Sequence, residues 1–465
     1  CISSAASDVY KRQCPMSTKA PRDFRPALHY TPKKGWINDP NGLVYARGKY
    51  HLFAQYGPEP HWGDIHWSHA ESPDLLHWRD LPNAIAPDGL GMAFSGSAVY
   101  DEENVSGLGT PDNPPIIAMY TSHGEQEQQS IAYSLDGESF IKYPGNPVIH
   151  NTEKPDFRDP KVFKNPKGGW TVVLAAGDHV EFYGSEDLLH WQKTGSFGPD
   201  GNYSKGVWEC PDLFPLALGG REVWVLLVSM GACPENLGSR TQYFLGNFDG
   251  ETFTCDGSFN KPEFIDSGFD NYAGVTFFGT QERVLMGWAA NWVYAGDLPT
   301  GEFCGQMTLP RALSLVDTPL GGPRLSCAPV SDKLFGAPVP IDGSLPGEVF
   351  KLTVSGEGTA DITLSKGGGE AFSFGVDSSG EVYIDRSRAG LRSFNADFAK
   401  PEYGRISAPR FFTGPWTLEL TFDRSICELF ADRGTRVFTQ LLYPSEPYRH
   451  IDLAGNAKAE ISLMV

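Results

Sequence analysis

Short apolar runs and polar turns alternate along the chain in two interleaved series. The first couples a polar turn to a brief β-prone run ending in an aromatic residue. Its members are NDPNGLVY (38–45), FSGSAVY (94–100), RDPKVF (158–163), ECPDLF (209–214) and NYAGVTF (271–277). They return roughly every fifty to sixty residues, somewhat above the length of familiar propeller repeats. The second series runs out of phase with the first. SPDLLHW (72–78) returns as SEDLLHW (185–191), with looser copies at SLDGESF (134–140) and at 247–253. Between the two series lie strand-like runs at 50–56, 116–121, 170–175 and 223–229. Each unit therefore reads as about four strands with a late outer turn, and five such units closed in a ring predict a five-bladed β-propeller.

Further on the pattern changes. Residues 319–346 are rich in glycine and proline and read as a boundary. Beyond them alternating strands such as FKLTV (350–354) and WTLELTF (416–422) follow at sandwich-like intervals. The expected organisation is an all-β chain: a leader at 1–15, a propeller at 16–317, a linker at 318–347 and a β-sandwich at 348–465. The leader is inferred because residues 1–15 show neither periodicity nor a hydrophobic signal core, whereas Met16 reads as a natural start. With no secretory segment after Met16, the expected location is the cytoplasm.

Composition agrees with many short strands and tight turns. Of 465 residues 12% are aromatic, with 52 glycines and 36 prolines. The formal net charge of −19 argues against nucleic acid or an anionic membrane as partner. A neutral sugar meets no such repulsion. No apolar run approaches the length needed to span a bilayer. Cys210, Cys233, Cys255, Cys304, Cys327 and Cys427 are scattered without metal-ligand spacing or a paired framework, and read as buried free thiols. The chain carries no evidence of oligomeric state.

The propeller pattern has a chemical consequence. The first strand of each blade lines the central channel, so Asp39, Ser95, Asp159 and Glu209 are expected at one axial funnel. Asp39, Asp159 and Glu209 share a repeat position, each within two residues of a turn-forming proline. Glycosidic cleavage with retention uses one carboxylate as nucleophile and a second carboxyl as acid and then base. A third can stabilise developing oxocarbenium charge. Arg158 is expected to keep Asp159 ionised, and Trp208 and Cys210 to give Glu209 a partly apolar setting that raises its pKa.

These motifs resemble the β-fructofuranosidases of glycoside hydrolase family 32, the group of invertases, inulinases and levanases. The matching stretches are GWINDPNG (35–42), FSGS (94–97), FRDPKVF (157–163) and WECPDLF (208–214). Further similarity lies in Gln55-Tyr56, in WGDIHW (62–67), in GWAANW (287–292) and in FDRSICELF (422–430). The resemblance implies a five-bladed propeller plus a β-sandwich, and release of terminal fructosyl units from sucrose and fructans without cofactor or metal. It assigns Asp39 as nucleophile, Glu209 as acid/base and Asp159 as transition-state stabiliser. Asn38, Gln55, Trp62, Phe94, Ser95 and Arg158 match positions that shape the fructose pocket, with Trp36 and Trp292 at its wall. Ile37, Gly57 and the Ala289-Ala290 pair depart from the family pattern, the last two at what is expected to be the pocket rim. The stretch 174–183 looks more like the exo-acting fructanases than the phosphosugar-specific invertases.

Other readings are open at this level. His61, His66, His69 and His77 could suggest a metal site, although the interleaved tryptophans favour a sugar-binding rim. A non-catalytic fructan-binding propeller is expected to have lost a carboxylate, and all three are present. An inverting glycosidase predicts more widely spaced carboxyl groups. A fructosyltransferase uses the same covalent intermediate but passes it to a sugar acceptor.

Overall fold

The structure is a computed structural model that describes residues 22–151, 153–198, 206–257 and 262–465. The expected leader, Met16 and a glycosylation-type sequence at Asn202 lie outside these. The described chain is almost entirely β, with four short 3₁₀ turns and no α-helix among the described residues.

Five sheets of four sequential antiparallel strands form the blades. Their inner strands are Gly35–Ala46, Met92–Tyr100, Phe157–Lys164, Trp208–Leu218 and Tyr272–Thr276, the five segments of the first sequence series. Phe303–Cys304 pairs in parallel with the start of Gly35–Ala46 and ties the end of the ring to its beginning. The second series forms the turns between third and fourth strands of blades one to four. There Asp74, Asp136, Asp187 and Asp249 each accept two backbone N–H bonds from the residues just after them, at 2.7–3.0 Å. These carboxylates are turn caps, held in the anionic form by their donors.

Gly322–Pro329 pairs along its length with Arg311–Thr318 as the outer strand of blade five. The linker expected at 318–347 is therefore partly propeller: the glycine- and proline-rich run contains the hairpin turn at 318–322 and not only a boundary. Residues 349–463, together with the short strand Val339–Pro340, build a nine-stranded sheet folded over one core that includes Phe350, Leu352, Phe374, Ile384, Leu418 and Leu429. The two long strands Val349–Gly367 and His450–Leu463 pair with each other on both sides of a bulge between Gly356 and Ala360 and join its halves.

Buried ions, not only apolar contact, join the two domains. Arg311, on the third strand of blade five, bonds Glu428 at 3.0 Å, Asp266 at 2.9 Å and the Thr439 hydroxyl at 2.6 Å. Arg386 bonds Asp270 at 2.7 Å and the Tyr294 hydroxyl at 2.9 Å. Asp423 and Glu428 flank the His29 ring at 2.8 and 3.3 Å. Burial opposes the charge on His29, but these two carboxylates win and raise its pKa to about 9. Asp266 and Asp270 lead directly into the inner strand of blade five. The C-terminal domain thereby fixes where Tyr272 stands.

Candidate active site

Every inner strand carries a β-bulge at the same level of the funnel. Register shifts fall between Ile37 and Val44, at Phe94–Gly96, opposite Val173–Ala175, at Glu209–Asp212 and at Tyr272–Val275. A bulge turns a strand residue away from its alternating direction and re-aims its side chain. Three bulges put a non-glycine residue in the left-handed region: Asp159 at φ +64°, Cys210 at +45° and Ala273 at +53°. Each such backbone costs about 1–3 kcal/mol, which the surrounding blades must offset. The prolines of NDP, RDP and ECP follow within two residues of the carboxylates and fix the exit of each bulge.

The bulges bring Asp39, Asp159 and Glu209 together. Asp39 is 7% exposed. Its Oδ2 accepts from the Ser95 hydroxyl at 2.6 Å, from Gln55 Nε2 at 3.4 Å and from Cys210 Sγ at 3.4 Å. Its Oδ1 accepts from Asn38 Nδ2 at 3.0 Å. Asn38 is held in turn by Trp36, whose indole N–H donates to Asn38 Oδ1 at 2.7 Å. Asp159 Oδ2 accepts from the Cys210 backbone N–H at 2.9 Å and lies 3.5 Å from the same thiol. Cys210 thus bridges two of the three carboxylates. Burial raises the pKa of Asp39, and the Ser95 and Asn38 donors only partly offset it. Burial raises that of Asp159 to about 8, against the pull of Arg158.

Two expectations about electrostatics differ from what the site shows. The Arg158 guanidinium does not bond Asp159. It bonds Glu209 Oε1 at 2.9 and 3.3 Å, both oxygens of Glu127 at 3.1 and 3.2 Å, and Asp156 at 2.7 Å. Burial therefore governs Asp159. Nor do Trp208 and Cys210 surround the Glu209 carboxyl. Trp208 packs into the core with Phe197 and Phe244, on the side of the strand opposite Glu209, whereas the bulge aims the Cys210 thiol at Asp39 and Asp159. Glu209 instead meets Arg158 and the Tyr272 hydroxyl, which donates to Oε2.

The remaining expected residues fall into a wall and a support. Gln55 bridges Asn38 at 3.1 Å and Ser95 at 2.5 Å. Trp62 meets Phe94 edge-on with ring centroids 6.1 Å apart, and both are half-buried at the funnel. Trp292 is half-buried and stacks on Trp36 at 5.8 Å. Trp36 itself is 1% exposed, so it braces Asn38 from behind and is not a surface of the wall. The departures expected at the rim are not there. Ala289 and Ala290 are fully buried in the core. Gly57 is buried where a Cβ would lie 2.7 Å from the Gly63 carbonyl oxygen, so no side chain fits. His69 pairs with His51 at 3.0 Å inside blade one, while His77 caps its own turn through Asp74. They do not converge with His61 and His66 on one point.

Sequence reasoning missed Cys210, Tyr272, Glu127 and His123 as members of the site. For the first two a signal existed, since both lie inside the inner-strand repeat.

A five-bladed propeller with three carboxylates converging at one end of its channel, braced by amides, a hydroxyl and a guanidinium, defines a glycoside hydrolase. Models of two domains match the chain: the glycosyl hydrolases family 32 N-terminal domain over residues 29–326, and the family 32 C-terminal domain over residues 349–464. A levanase of Bacillus subtilis is 38% identical, with 94% of this chain and 69% of the levanase covered. The crystal structure of an exo-inulinase from Aspergillus awamori superposes with a TM-score of 0.86 at 32% identity, covering 96% of this chain and 99% of that one. A β-fructofuranosidase from Schwanniomyces occidentalis, solved with fructosyl-erythritol, superposes at 0.83 with 28% identity, over 97% and 99% of the two chains. The chain belongs to glycoside hydrolase family 32.

Proposed function

We propose that the enzyme is a retaining β-fructofuranosidase that releases terminal non-reducing fructosyl units from sucrose and short fructans. The observation that carries this reading is the convergence of Asp39, Asp159 and Glu209 from three blades onto one funnel. The names of the relatives, levanase and exo-inulinase, and the fructosyl ligand of the Schwanniomyces structure support the substrate class.

Asp39 Oδ2 has three donors and Oδ1 has one, so Oδ1 is the oxygen left to attack. It forms an ester to the anomeric carbon as the glycosidic C–O bond breaks. Glu209 gives its proton to the leaving oxygen in that step, then takes one from the water that hydrolyses the ester. Asp159 lies beside Asp39 across the Cys210 thiol and is placed to hold fructose hydroxyls and, in its ionised form, to offset oxocarbenium charge. Trp62 and Phe94 supply the apolar wall.

Incubation with sucrose, inulin and levan, each with chromatography of the products, tests the reading. Fructose alone from the polymers supports exo-hydrolysis. Ladders of longer oligosaccharides would reassign the enzyme to transfer or internal cleavage. Absence of fructose from all three would overturn the proposal.

A further inference from the structure

The tip of the second hairpin of blade two enters the funnel from the side. His123 ends the strand Ile116–His123 and faces Glu127 at the start of Glu127–Ser134. The His123 ring lies flat on Phe94, with centroids 3.9 Å apart and planes within 4°. Its Nδ1 is 3.0 Å from Glu127 Oε1. A carboxylate only accepts, so Nδ1 carries the hydrogen. Glu127, with its side chain 11% exposed, takes Nη1 of Arg158 on both oxygens. The other edge of the same guanidinium holds Glu209. An unbroken chain therefore runs from Phe94 through His123, Glu127 and Arg158 to Glu209, with Tyr272 at its far end.

Arg158 and Tyr272 both donate to Glu209, and donors to a carboxyl oxygen favour its anion. The acid step needs the protonated form. Glu127 and Asp156 draw on the other edge of the guanidinium and oppose its field at Glu209. We infer that Glu127, held by His123, is a positioning residue that keeps Arg158 from stripping the proton from Glu209. The inference rests on Glu209 as the acid/base. The charged and titratable groups facing Glu209 are Arg158 and Asp159 from the inner strand of blade three, Asp156 just before it, Tyr272 from blade five, Asp39 from blade one, Cys210 beside it, and Glu127 with His123 from blade two.

The test compares Glu127→Gln and Glu127→Asp with the parent enzyme. Gln keeps acceptor capacity toward Arg158 but loses the charge; Asp keeps the charge. The pH profile of kcat/KM is measured on sucrose and on 4-nitrophenyl β-D-fructofuranoside, whose leaving group needs no acid. On sucrose the basic limb of Glu127→Gln should move toward acid by about one pH unit, the size expected of one nearby charge in a partly buried site. That of Glu127→Asp should move far less, and on the nitrophenyl substrate neither variant should show the displacement. A basic limb unmoved in Glu127→Gln, or moved equally on both substrates, would overturn the inference. A purely structural Glu127 would lower Tm and kcat in both variants with the limb in place, which also overturns it. Glu209→Ala separates the two readings: if it retains activity on sucrose, the acid/base assignment fails, whatever Glu127 does.

Discussion

Removal of the Ser95 hydroxyl isolates what the nucleophile owes to its closest donor. The Ser95–Asp39 bond is 2.6 Å and buried, and it is the shortest of the four that Asp39 accepts. A hydrogen bond to a charged group contributes about 1.5–3 kcal/mol. At 1.36 kcal/mol per pH unit, its loss should move ionisation of Asp39 upward by about one to two units. Gln55 moderates this. Its amide now donates to Ser95 at 2.5 Å and stands 3.4 Å from Asp39 Oδ2, so in Ser95→Ala it is free to close on the carboxylate. The expected displacement is therefore near the lower figure. The assay is kcat/KM on sucrose against pH, read at the acidic limb, where protonation of Asp39 ends catalysis. Burial already raises this group and Ser95 opposes it, so the limb should move toward neutral pH. A plateau that falls while the limb stays in place would refute the reasoning and make Ser95 a sugar contact only. A limb displaced toward acid would contradict its sign.

Two further predictions concern stability. The folded-state pKa of Asp159 is raised to about 8, so the stability associated with its neutral form is complete below the unfolded value near 4 and is lost as pH rises through 8. Asp159→Asn should thus gain stability relative to the parent between those limits, by up to a few kcal/mol at pH 8, while losing activity; thermal melts at pH 4 and 8 with no growth in the difference would contradict this. Arg311→Ala should cost about 3–5 kcal/mol, because it leaves Asp266 and Glu428 buried without their guanidinium, and urea titration should show it as a lower midpoint.

Much of this arrangement is legible in the chain. The inner-strand repeat locates all five blades, since a polar turn followed by a short β run ending in an aromatic residue leaves a strong local pattern. The same repeat singles out Asp39, Asp159 and Glu209, and the outer-turn repeat explains why Asp74, Asp136, Asp187 and Asp249 are structural. What escapes is the detail that bulges and distant partners impose. A neighbour in sequence is not a neighbour in space on a bulged strand, so Trp208 and Cys210 mislead about Glu209 and Arg158 misleads about Asp159. Glu127 reaches Arg158 from the adjacent blade, 31 positions away, with no motif to announce it. The family resemblance places Trp36 at the pocket wall, yet its indole is spent on Asn38. Gly57 looks like a change of pocket chemistry, but the Gly63 carbonyl leaves no room for any other residue. The outer strand Gly322–Pro329 is hidden by its own glycine and prolines, which an edge strand tolerates.

The central claim is that Asp39 becomes covalently bonded to the sugar. In Glu209→Ala, 4-nitrophenyl β-D-fructofuranoside can still lose nitrophenolate without acid help, whereas hydrolysis of the ester lacks its base. Mass spectrometry of the acid-quenched variant should show one added fructosyl unit, and proteolysis should place it on the peptide carrying Trp36 to Gly42, at Asp39. Release of nitrophenolate with no modified peptide, or a fructosyl group on any other residue, would contradict the assignment.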